Sequence, residues 1–174
     1  MTQYSNRMIL VHWLTLALLV AAWFLGEELA EATDESQATI AGYLVHGIVG
    51  GSVLLLTVLR LLFRRQDGTP PAMGDTAMDK LAKGIHHTLY TVLFLLPVSG
   101  MITIASSDAG KALLSGDVSL LPVDGGYEHV FAHEVHEVLV TTLILLVIVH
   151  VLGAIKHQFI AKDGLMERML PRRK

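Results

Sequence analysis

The stretch 133-HEVHEVLVTTLILLVIVHVLGAIKH-157 is apolar enough to enter a lipid bilayer, yet it carries histidines where hydrocarbon belongs. An α-helix turns about 100° and rises about 1.5 Å per residue, so two residues fourteen apart share nearly one face about 21 Å apart in height. His136 and His150 have that spacing, and His129 and His157 extend the stripe by seven residues each way. Ionisable groups inside a bilayer are costly. They mark a ligand site, an ion path or a proton relay, or they hydrogen-bond a neighbouring helix.

The rest of the chain is of the same kind. Its 174 residues are 52% hydrophobic and only 17% charged, with a mean hydropathy of +0.54, too apolar for a soluble domain of this length. A helix needs roughly 20 apolar residues to cross the hydrocarbon, and four stretches qualify: about 8–26, 40–63, 81–105 and 130–160. The expectation is one all-α domain, 1–174, an integral membrane four-helix bundle running up-down-up-down. Arg7, the apolar run and "AEA" at Ala30 to Ala32 also resemble a cleaved signal peptide. That reading is set aside because the run exceeds the usual ~7–15 residue core and contains His12 and Trp13. There is no cysteine, hence no disulfide, no thiolate metal site and no CxxCH motif for covalent haem.

Charge gives the orientation. With four alternating spans, Arg7, Arg60, Arg64, Arg65, Lys80, Lys83, Lys156, Lys162, Arg168, Arg172, Arg173 and Lys174 fall on one side, leaving only Lys111 of the 13 basic residues on the other. The positive-inside rule places both termini and the central loop "RRQDGTPPAMGD" in the cytoplasm. Pro70 and Pro71 stop the second helix from continuing through that loop. No phosphate loop or basic stripe with aromatics is present, so nucleic acid is excluded as a partner.

Other spans supply histidines at matching heights. His46 of the second span lies about as far from the outer side as His136, and His12 of the first about as far from the inner side as His150. Two histidine pairs, one per leaflet, are what two six-coordinate haems stacked across the membrane require. A porphyrin also needs room. Gly50 lies four residues after His46, and Gly153 three after His150, on the ligand faces; the competing reading is that small residues only let helices pack closely. His86 competes with His12 as inner ligand and ranks second because it is expected to lie shallow, near Lys83. Its other role is with His157, supplying protons or hydrogen bonds at a cytoplasmic site, where Arg60, Lys80 and Lys83 add positive charge. Those basic groups alternatively snorkel to headgroups or bind haem propionates. His129, His133 and His136 have a spacing that suits zinc or copper on one face, and Pro97 is expected to kink the third helix.

Taken in order, "MILVHWLTLALLVAAW", "LVHGIVGGSVLLLTVLRLLFRR", "HTLYTVLFLLPVSG", "HEVHEVLV", "VIVHVLGAIKH" and "KDGLMERMLP" resemble the bacterial cytochrome b561 family, di-haem four-helix membrane proteins related to the cytochrome b subunits of nickel hydrogenases. The resemblance implies two non-covalent b haems, with His12, His46, His136 and His150 as iron ligands. It also implies a bacterial inner-membrane oxidoreductase that exchanges electrons with ubiquinone or another membrane quinone. Its donor is superoxide or a redox protein at the periplasmic face, or a separate dehydrogenase or hydrogenase that the chain anchors. A divalent-metal or proton transporter using the histidine line is the reading from outside electron transfer.

Overall fold

The computed structural model describes residues 3–32, 39–122, 127 and 130–170. Four long helices dominate: α1 (Asn6–Ala30), α2 (Ile40–Asp67), α3 (Ala77–Ser106) and α5 (Phe131–Lys156), with a short α4 (Asp108–Ser115) between the last two. No strand occurs among the described residues. Each of the four long helices is long and apolar enough to cross a membrane. Their large apolar side chains point outward in numbers no aqueous surface would carry, Leu10, Phe24, Ile48 and Phe159 among them.

Local sequence explains where the helices begin. Ser5 accepts from the Met8 amide, Thr39 from Gly42, and Thr76 forms a reciprocal capping box with Asp79. Helix α2 stops at Gly68, whose φ of 72° suits glycine. Both middle helices overrun the expected spans: α2 continues to Asp67, and α3 starts at Ala77 rather than near residue 81. The polar extensions, capped and charged, escape a count of apolar residues.

Helix α1 packs along α2, α3 along α5, and α2 against α3, whereas α5 has no comparable packing against α1 or α2. The bundle is two tight pairs joined along one seam. An apolar layer of Val53, Val92, Leu93 and Leu143 fills its middle, with Leu18, Leu139 and Leu146 around it. A second cluster, Ala32, Tyr43, Ala109, Ala112 and Leu121, closes the outer end beneath α4. At the inner end Arg7 pairs with Asp67, which also accepts from Ser5, fastening the start of α1 to the end of α2.

Candidate haem sites and an inner polar cluster

The side without close packing is where the histidines meet. His46 of α2 faces His136 of α5 with ring centroids 6.4 Å apart at 73°. His12 of α1 faces His150 of α5 at 6.3 Å and 69°. Leu143, in the apolar layer, lies seven residues from both α5 histidines and separates the tiers.

These separations test whether the residues fit a haem iron. An imidazole nitrogen about 2 Å from a metal sets its ring centroid a little over 3 Å away, so one metal between two imidazoles spaces the centroids by roughly 6.3 Å. Both tiers have that spacing. The surroundings also suit a flat plate: a Cβ added at Gly50 or Gly153 would meet nothing within 4 Å. His46 Nδ1 is buried with no hydrogen-bond partner, the Ala22 carbonyl lying nearby but outside bonding geometry.

The outer tier is braced from behind. His136 Nδ1–H donates to the Leu96 carbonyl at 3.0 Å with Ser99 Oγ at the same distance, which turns Nε2 toward His46. A Cβ on Gly100 would stand 3.1 Å from the His136 ring, and one on Gly26 3.2 Å from the His46 ring. Sequence reading singled out neither glycine nor Ser99. Gly26 and Gly100 lie on helices that carry no partner in the outer pair, so no spacing rule connects them to it.

The inner tier holds three histidines. His86 comes within 5.2 Å of His150, ring to ring at 89°, deeper than the shallow place expected for it. Lys83 lies only three residues before it, so distance from the nearest charge did not fix its level against His150. That pair is too close for a metal shared in the manner of the other two. His86 Nδ1–H donates to the Ala82 carbonyl at 2.7 Å. His12 differs, because its Nδ1 accepts from Arg60 Nη1 at 2.8 Å. A neutral His12 then carries its proton on Nε2, so metal ligation through Nε2 requires Arg60 to turn away. Arg60 Nε is itself buried and unpartnered, and its guanidinium lies over Tyr90; a carboxylate such as a haem propionate would satisfy it.

His157 is joined to Asp163, Nδ1 to Oδ2, at 2.6 Å, and that bond holds the Asp163 carboxyl below the usual carboxylate range. No hydrogen bond or ring contact links His157 to His86 among the described residues. Lys80 pairs with Asp75 at 3.8 Å in solvent. At the outer end Tyr127 stacks on His133, centroids 4.4 Å apart, and burial pushes its hydroxyl pKa up. His129 lies outside the described residues, and among those described no cluster of three or more metal-binding side chains occurs. Lys111 is ion-paired with Asp108 at 2.6 Å.

A four-span helical bundle with two tiers of facing imidazoles is the architecture of a membrane cytochrome b. The chain belongs to the prokaryotic cytochrome b561 family, whose model matches residues 3–172. It is similar to cytochrome b562 of Cereibacter sphaeroides, 30% identical over 171 residues covering 96% of this chain and 94% of the relative. It also resembles cytochrome b561 homolog 1 of Escherichia coli, 28% identical across the full length of both. A probable superoxide oxidase, CybB, of Yersinia pestis is 25% identical over 99% of this chain and 98% of its own. The protein is accordingly a multi-pass bacterial membrane cytochrome b that binds haem b and transfers electrons.

Proposed function

We propose that this chain conducts electrons across the inner membrane between a periplasmic donor and the quinone pool, using two b haems, one held by His46 and His136 and the other by His12 and His150. The observation that carries the reading is the pair of imidazole tiers at 6.4 and 6.3 Å, one toward each face. Haem held by two imidazoles supplies reversible one-electron transfer with no open iron position for oxygen. The protein's part is to fix the ligand rings, exclude water through the Val53, Val92, Leu93 and Leu143 layer, and offer protons at the cytoplasmic end. With both termini cytoplasmic, His86 and His157 lie on the side where a quinone would take up protons.

The donor is superoxide or a redox protein. The name of the Yersinia relative supports superoxide. The outer face favours a protein donor, because Lys111 is neutralised by Asp108 and the first connection, "EELAEATDES", is acidic, so an anion finds little attraction there. The test is stopped-flow mixing of oxidised protein in nanodiscs with superoxide. Haem reduction outpacing spontaneous dismutation establishes that donor. Reduction no faster than dismutation excludes it and leaves a co-purifying redox partner as the donor to seek.

A further inference from the structure

Helix α5 ends in an unusual way. Over His157–Ala161 the ladder widens into a π turn, closed by Lys162 N–H donating to the His157 carbonyl at 2.8 Å. Lys162 then adopts left-handed backbone, φ 52°, the one such non-glycine residue described, followed by Gly164 at φ 75°. π turns gather at functional sites, and left-handed non-glycine residues are uncommon. Together they reverse the chain, so that Asp163 comes back against the helix it has just left.

The reversal fixes a carboxylate. Asp163 Oδ2 accepts from His157 Nδ1–H at 2.6 Å, and Oδ1 accepts from the Leu165 amide at 3.1 Å, so neither oxygen is free to swing. The pair is partly shielded, with side-chain exposures of 30% for His157 and 26% for Asp163. From α3, Asp79 lies within electrostatic reach of His157 and of Lys83. A carboxylate holding one imidazole nitrogen sets the ring's tautomer and orientation, leaving Nε2 to exchange a proton.

We infer that Asp163 is a positioning residue for His157, holding its ring so that Nε2 hands cytoplasmic protons to a membrane quinone; the inference rests on the quinone reading above. Reduction of one quinone consumes two electrons from the reduced protein and two protons from water and forms two O–H bonds. Each proton passes from His157 Nε2 to a quinone oxygen, and the ring is reprotonated from the cytoplasm while Asp163 stays ionised and keeps Nδ1–H in place.

The test uses the holoprotein in nanodiscs, kept reduced by an excess of a chemical reductant that reacts only slowly with free quinone, so that the physiological donor does not enter, and turned over with a short-chain ubiquinone. Asp163→Ala should lower kcat for quinol formation by about tenfold or more, with KM for the quinone little changed and a larger solvent deuterium effect. Asp163→Glu should recover part of the rate. A merely structural role would raise KM or strip the haem and leave the isotope effect alone. Should Asp163→Ala lose haem, Asp163→Asn decides: its amide can present N–H to Nδ1 and favour the wrong tautomer, so it too should be slow, and a wild-type rate overturns the inference. A readout apart from turnover is the infrared carboxyl band of labelled Asp163, whose protonation should move to higher pH in His157→Gln; an unmoved band counts against the pair. If His157→Gln is slow while Asp163→Ala runs at the wild-type rate, the inference fails and the quinone reading stands. If both run at the wild-type rate, the quinone reading at this end fails as well.

Discussion

The outer histidine pair is braced by residues outside the gap between its rings. Gly100 backs His136 so closely that a Cβ would stand 3.1 Å from its ring, whereas Gly50 looks into open space. The two glycines therefore make opposite predictions. Gly100→Ala should tilt the His136 ring and alter the spectrum of one haem of two, read in a reduced-minus-oxidised difference spectrum, while Gly50→Ala leaves it unchanged. Gly50→Leu extends further into the gap, and where a porphyrin belongs there it should cut haem content by about half without loss of folded protein. Unaltered haem content in Gly50→Leu would show that the gap accommodates something else. The facing of His46 with His136 and of His12 with His150 was legible in helical periodicity and depth, which left His86 open as a competitor on the inner side. Ser99, Gly26 and Gly100 were not, since a residue that braces a ring from a different helix leaves no periodic trace.

At the scale of elements, the end of the bundle where α1 begins and α5 ends is fastened by polar contacts between segments far apart in sequence. Trp13 Nε1 donates to the Met169 carbonyl at 2.8 Å, the Tyr4 amide to Arg168 at 3.1 Å, and Arg168 Nη1 to Pro71 at 2.6 Å. The Asp163 turn launches this strap. Because its folded pKa is depressed, the carboxylate's contribution is fully present above the ordinary carboxylate pKa and is lost only as pH falls through the lower folded value. Protection of the Leu165 amide, measured against its intrinsic exchange rate at each pH, should accordingly be high at neutral pH and fall in acid, below about pH 4, and in Asp163→Ala it should be low throughout. Protection indifferent to both would mean the turn is held by the strap's other contacts. The helices themselves were legible in outline, since apolar length alone located four of them. Their polar overruns were not, and neither was the approach of His86 to His150, which its closeness to Lys83 in sequence did not suggest.

For the whole molecule, the two helix pairs, α1 with α2 and α3 with α5, meet along one seam and stay apart on the side where the histidines face each other. An apolar bundle has every reason to close such a gap, and on the proposed reading it stays open because cofactors belong between the pairs. Removing His136 should therefore cost one haem and leave the other, because the apolar layer insulates the tiers, which share α5 but take their second histidine from different helices. Loss of both haems in His136→Ala would instead mean that the pairs separate as a unit. Overall architecture was readable in the sequence because membrane crossing constrains it so tightly, whereas the donor and the direction of electron flow reside in surface details that composition does not encode.

The two-haem wire stands or falls on haem counted against polypeptide in the purified protein, with the ligation state read from the low-temperature paramagnetic spectrum. It predicts two non-covalent b haems per chain, both low-spin with two imidazole ligands. A colourless protein, a single haem, or an iron with an open axial position would contradict it.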